Sequence, residues 1–281
     1  MREVSAEKIT ETVERLFIEA NYNLPPDMVS VLEKGEREEE NPVAKSVFRT
    51  ILENRLVASE GRFPLCQDCG MAVVFLDIGQ EAAVTGGSLG DAVNEGVRKA
   101  YEKGYLRKSM VGEPLFERKN TGDNTPAILH VRVVPGDRVS VTTAPKGAGS
   151  ENMSALTMLS PAAGPEGVER FVLETVRKAG PNPCPPIVVG IGVGSDFEGV
   201  AELAKRALLR PAGSSSSHPK YAALEAGLLR KINDLGIGAA GYGGTVTALG
   251  VNIEWAPTHI ACMPVAVNLC CHANRHCSAQ I

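Results

Sequence analysis

The chain has 281 residues, 43% of them hydrophobic and 22% charged, ordinary globular values that exclude a disordered, collagenous or fibrous chain. Its 29 Lys and Arg against 33 Asp and Glu leave a net charge of -4, so it has no basic field for nucleic acid or for an anionic membrane surface. Seven cysteines, an odd number in a long chain, argue against a disulfide framework and for reduced thiols. With a charged N-terminus and no run of about 18 apolar residues, a cytoplasmic protein without a membrane partner is expected.

In chain order, Ile9, Val13, Leu16 and Phe17 recur at helical spacing, and Pro25-Pro26-Asp27 breaks and recaps the chain before a second helix at 27–35. Asn41-Pro42 caps a third helix whose expected apolar stripe is Val43, Val47, Ile51, Leu52 and Leu56. All three read as helices covering a core. Residues 72–78 are a short β-branched run flanked by glycine and read as a strand, followed by a helix at 91–105. Two Val-rich runs on either side of Pro135-Gly136-Asp137 predict a β-hairpin. A helix at 168–179, a strand at 187–192, helices at 196–209 and 220–235, and strands at 245–255 and 264–269 complete the pattern. The serine-rich stretch 210–219 reads as a surface loop or hinge without a composition shift across it. The chain is therefore expected to be α/β, a mixed sheet covered by helices with a helical N-terminal segment, in a single domain over 1–281.

Four loops carry residue types suited to chemistry. Cys66-Gln67-Asp68-Cys69 puts a thiol, an amide and a carboxylate on consecutive loop residues; Cys66 and Cys69 also have the Cys-x-x-Cys spacing of a redox or zinc half-site. Residues 144–152 form a Gly-rich turn with Lys146 that is expected to open a helix, an arrangement suited to an anion or to a simple tight turn. Prolines 181, 183, 185 and 186 stiffen the backbone around Cys184, which suits a metal ligand or a packed thiol. Just beyond, the glycines at 190–199 form an imperfect dinucleotide fingerprint. In the tail, His259 reads either as a core histidine satisfied by a carbonyl or as a functional group, and Cys270, Cys271, His272, His276 and Cys277 form a possible zinc cluster in which adjacent cysteines cannot easily share one ion.

Taken together, Cys66-Gln67-Asp68, the Asn120 to Pro126 segment, the Gly149 to Ser154 segment, Gly236-Ile237-Gly238 with the glycines at 241–244, and Pro257-Thr258-His259 with 264–268 resemble the α region of class I fumarases and the related tartrate dehydratases. These are iron–sulfur hydro-lyases, and the motifs follow in the same order over nearly the whole chain. The resemblance implies a [4Fe-4S] cluster held by Cys66, Cys184 and Cys271, with one iron open to a 2-hydroxy dicarboxylate. It implies Gln67 and Arg107 as substrate-binding groups, Gly149 as a backbone contact in an anion-binding loop, Asp68 as a participant in proton transfer and His259 as a histidine near the reacting centre. Cys69 stands where the family loop commonly has threonine.

Single-chain members of the family carry a further β region, so the resemblance implies an α subunit completed by a β subunit in a hetero-oligomer. The expected reaction is the reversible hydration of fumarate to L-malate, with L-tartrate dehydration as the near alternative. A zinc or thiol-redox binding module, or a nucleotide-binding domain on residues 190–199, is the alternative of another class.

Overall fold

In the computed structural model, which describes residues 1–61 and 63–281, the elements run β1 (Arg2–Ser5), α1 (Ala6–Tyr22), α2 (Pro26–Glu38), α3 (Pro42–Ser59), β2 (Met71–Gly79), β3 (Ala82–Thr85), α4 (Leu89–Lys103), β4 (Ile128–Val134), β5 (Val139–Lys146), the single turn α5 (Ala148–Glu151), β6 (Ala155–Leu159), α6 (Gly164–Ala179), β7 (Ile187–Ser195), α7 (Gly199–Ala207), α8 (Pro219–Asn233), β8 (Ala248–Thr258), β9 (Met263–Cys270) and β10 (Cys277–Gln280). The α/β class and the helical N-terminal segment agree with the sequence. Among the described residues no helix is long and apolar enough to cross a membrane. The chain divides into two compact units: Met1–Pro25, Arg55–Ala148 and Arg275–Ile281 form the first, and Pro26–Asn54 and Gly149–Asn274 the second.

The first unit is built on a four-stranded sheet in the order β10-β5-β2-β4. Residues 72–76 of β2 are buried in succession, the pattern of a central strand covered on both faces. Such a strand needs a partner on each edge, which explains a correction to the expected hairpin. β4 runs parallel to β2 on one side and β5 antiparallel on the other, so the two Val-rich runs do not pair with each other. The turn between them crosses the end of β2, whose Gly79 N–H donates to Arg138 while Gln80 and Glu81 donate to the Val134 and Gly136 carbonyls. Helix α1, capped by the Ser5 side chain on Lys8 N–H, packs on α4 where Gly96 lets the backbones approach: a Cβ there would lie 2.7 Å from the Thr10 carbonyl oxygen. Thr10 Oγ1 fastens the crossing to the Ala92 carbonyl at 2.8 Å.

The second unit carries the sheet β6-β9-β7-β8. Val172, Leu228 and Ile232 from α6 and α8 are fully buried in one core with Val189 and Ile191 of β7 and Leu269 of β9. On α7 the packing is close enough to exclude side chains from β7: a Cβ on Gly190 or Gly192 would strike the Ala204 or Val200 carbonyl. Gly190 and Gly192 of the imperfect dinucleotide fingerprint are thus taken up by helix-on-strand packing.

Helix α3 departs from the predicted stripe. Val43 and Leu56 are 50% and 52% exposed, and Ala44, Phe48 and Ala58 are buried instead. Ala44 and Phe48 are one turn apart, so the buried face is rotated from the one that large apolar residues suggested. In this unit Phe48 packs on Gly35 of α2, where a Cβ would come within 2.7 Å of its ring. The stretch 210–219 is tied down, with Ala212 N–H on Asp27 Oδ2 at 2.6 Å and Ser216 N–H on Glu225 Oε2 at 2.7 Å. Glu39, 2% exposed, accepts backbone N–H groups from Asn41, Thr245 and Val246 at 2.9, 2.9 and 3.0 Å. It anchors the end of the Gly-rich segment, whose Gly244 (φ +135°) leaves no room for a Cβ beside that carboxylate.

Candidate active site

In the first unit the loop before β2 presents Cys66, Gln67 and Asp68. Leu65 is buried and its N–H donates to the Asn21 carbonyl at 2.8 Å, which seats the loop on the end of α1. The Cys66 sulfur accepts the Asp68 N–H at 3.4 Å and lies 3.4 Å from Gln67 Oε1. Asp68 is held by its own carboxylate: Oδ1 accepts the Gly70 N–H at 3.0 Å and Oδ2 the Ala148 N–H at 2.8 Å. Gly70 (φ +79°) is required there, because a Cβ would fall 2.6 Å from the Lys146 nitrogen.

The same unit brings Arg107 to this loop through its backbone. The Cys69 sulfur, 1% exposed, accepts the Arg107 N–H at 3.1 Å and lies 3.6 Å from the Cys66 carbonyl oxygen. Burial pushes the Cys69 thiol up, against the lowering effects of the Arg107 N–H and the Arg275 charge. A neutral thiol here donates one bond and accepts another, the two roles a hydroxyl would fill. Asn124, fully buried at φ +64°, completes the arrangement. Its Oδ1 accepts the Ser109 and Met110 N–H groups at 2.7 and 3.2 Å and its Nδ2 donates to the Gly70 carbonyl at 3.2 Å. The Tyr101 hydroxyl lies 2.8 and 2.9 Å from the Cys69 and Gly70 carbonyls, and burial raises its phenol. The Arg107 residue is exposed, while its backbone N–H is fixed on the Cys69 sulfur.

In the second unit the Cys184 loop and the tail after β9 come together. The Cys184 carbonyl faces His272, with Nδ1 at 3.1 Å and the backbone N–H at 3.5 Å. Cys184 is exposed and has φ +54°, a conformation that costs a non-glycine residue about 1–3 kcal/mol and persists where surroundings impose it. The adjacent tail cysteines differ in burial: Cys270 is buried at the end of β9, whereas Cys271, just past the strand, is partly exposed. Gly149 is exposed at the single helical turn α5, which leads into β6. The helix expected there does not form, so the loop offers no long helix terminus to an anion. His259 also differs from its core reading: it is exposed on the turn between β8 and β9, its Nδ1 accepting the Ala261 N–H at 3.2 Å.

Thus Cys66, Gln67, Asp68 and Arg107 belong to the first unit, and Gly149, Cys184, His259 and Cys271 to the second. Sequence reasoning missed Asn124, Tyr101 and Arg275, although Asn124 and Arg275 lay inside segments it had singled out, and it read His272 only as part of a possible zinc cluster. None of the cysteines is in a disulfide. Among the described residues no three His, Cys, Asp or Glu side chains gather as a single ion requires; a cubane cluster makes a different demand, since each thiolate binds its own iron.

A family model described as fumarate hydratase (Fumerase) matches residues 10–280. The chain therefore belongs to the fumarate hydratase family of hydro-lyases. Among its relatives, a protein of Methanocaldococcus jannaschii named "Putative L(+)-tartrate dehydratase subunit alpha" is 44% identical over 279 residues, covering 98% of each chain. The L(+)-tartrate dehydratase subunit alpha of Escherichia coli strain UTI89 is 32% identical over 284 residues, 100% of this chain and 93% of the relative. That of strain K12 is 32% identical over 278 residues, 98% and 91% respectively.

Proposed function

We propose that this chain is the cluster-bearing α subunit of a hydro-lyase that reversibly hydrates fumarate to L-malate and is completed by a β subunit. The observation that carries the reading is the fastening of the Arg107 segment to the Cys66-Gln67-Asp68 loop through Cys69 and Asn124, in a chain of this family. A carboxylate-binding arginine and a thiol-bearing loop on one frame suit a dicarboxylate held against a metal centre. Cys66, Cys184 and Cys271 hold a [4Fe-4S] cluster, which when bound supplies an open iron as Lewis acid for the departing hydroxyl. The donor set fits that group: Cys66 and Cys271 are partly exposed and Cys184 exposed, and the Cys66 sulfur already receives a backbone N–H, as a thiolate ligand needs.

The chain's own groups divide the remaining work. Arg107 clamps one substrate carboxylate with its planar fork, Gln67 and the Gly149 N–H donate to substrate oxygens, and His259 contributes at the reacting centre. Asp68, with one lone pair on each oxygen directed at a backbone N–H, keeps the others for proton transfer at the adjacent carbon. L-Tartrate is a second substrate reading, favoured by the names of the relatives. The test is anaerobic iron and sulfide reconstitution, with and without a candidate β chain, followed by assays on malate, fumarate and L-tartrate. Iron, sulfide and fumarate turnover are expected. A chain that binds zinc and no sulfide sinks the cluster reading, and turnover of tartrate alone replaces the first substrate with the second.

A further inference from the structure

Arg275, in the first unit, is 4% exposed. Its Nη2 donates to the Asp68 carbonyl oxygen at 2.5 Å, while its Nε and Nη1 are buried without a hydrogen-bond partner among the described residues. An arginine cannot shed its charge to escape burial, and a buried guanidinium with most of its donors unpaired is among the most unfavourable arrangements a fold can hold. The Asp68 carboxylate is directed elsewhere, toward Gly70 and Ala148. The Arg275 charge is nonetheless felt by the loop, lowering both the Cys69 thiol and the Tyr101 phenol against the effect of burial. What these two donors lack is an anion that the chain does not supply.

The position of the guanidinium identifies the anion. The Asp68 residue is grasped at both ends: its N–H points at the Cys66 sulfur at 3.4 Å and its carbonyl at Arg275. The guanidinium is therefore one residue's span from the Cys66 thiol. We propose that the guanidinium of Arg275, through its unpaired Nε and Nη1 donors, is an anchoring site for the anionic sulfurs of an iron–sulfur cluster at Cys66, making Arg275 a positioning residue that holds the cluster and sets its reduction potential. The inference rests on the cluster reading above. A cluster with three thiolate ligands carries net negative charge, and hydrogen bonds and cations beside its sulfurs favour the reduced state.

The test uses the full chain, reconstituted anaerobically with iron and sulfide, as wild type, Arg275→Lys and Arg275→Gln. Circular dichroism first establishes folding; Arg275→Lys keeps the charge and the bond to the Asp68 carbonyl, and serves if Arg275→Gln does not fold. Expected is a lower midpoint potential in the EPR-monitored titration of the variants, and cluster loss to a chelator about tenfold faster for Arg275→Gln, with Arg275→Lys between it and wild type because it lacks the fork. Folded variants with wild-type potential and stripping rate overturn the proposal. So does an unchanged cluster accompanied by a raised KM for malate in the complex with the β chain, which would assign these donors to a substrate carboxylate. A wild-type chain that takes up no iron or sulfide instead sinks the functional reading beneath it.

Discussion

The imidazole Nδ1 of His272 lies 3.1 Å from the carbonyl oxygen of Cys184. Two segments 88 residues apart are latched there, one bearing Cys184 and the other following Cys271. The latch grips the peptide of a cysteine whose φ of +54° needs outside support. His272→Ala is expected to leave the fold intact and to weaken iron binding by about 10–100-fold, the usual effect of removing a group that orients a metal ligand. Iron and sulfide per chain after anaerobic desalting measure this, and undiminished content in the variant refutes the role.

Cys69 is predicted to act as a hydrogen-bonding side chain. Cys69→Ser preserves a donor for the Cys66 carbonyl and an acceptor for the Arg107 N–H, and should hold near-wild-type stability. Cys69→Val removes both and leaves the Arg107 N–H unpaired, at about 1–3 kcal/mol. Urea unfolding of the two variants side by side checks the difference; equal losses would point to packing alone.

Asn124 is expected to govern how well Arg107 is presented. Asn124→Ala abandons three hydrogen bonds and places a side chain poorly suited to φ +64°, destabilising by about 2–4 kcal/mol. Asn124→Gly relieves the backbone and keeps the loss of bonds. If the residue positions Arg107, the glycine variant raises KM for the dicarboxylate well before it lowers kcat. A fall in kcat at constant KM would contradict this.

Glu39 predicts an acid limit of the second unit. Burial raises its carboxyl, but the N–H groups of Asn41, Thr245 and Val246 and the Thr245 hydroxyl outweigh that and hold it below its ordinary value of 4.5. Because the folded value is depressed, its stabilisation is complete above pH 4.5 and fades as pH falls below 4.5 through the folded value. The Tm gap between wild type and Glu39→Gln should therefore be widest near neutral pH and narrow below pH 4.5. A gap independent of pH would remove the carboxylate from the account.

Much of the fold was legible because local pattern and burial coincide. Helices α1, α4, α6, α7 and α8 and strands β2, β7 and β9 lie where periodicity puts them. The four-residue strands β1, β3 and β10 are too short to show a period, and their pairing comes from distant partners. The hairpin failed for a related reason, since the turn at Pro135 fixes a reversal of the chain but not which strand fills the gap. Helix α3 misled because Val43 and Leu56 lie on the exposed side while Ala44 and Phe48 face inward.

The candidate site divides in the same way. Residue identity determined the chemistry on offer: thiols in Cys66, Cys184 and Cys271, a carboxylate in Asp68 and a guanidinium in Arg107. Side-chain type alone could not decide which groups hold that chemistry in place. Asn124 binds Gly70 across 54 residues and Arg275 binds Asp68 across 207, and neither separation leaves a periodic trace. Hydrogen bonds are directional and short, so these partners become known only when the chain has folded and brought them within 3.2 Å.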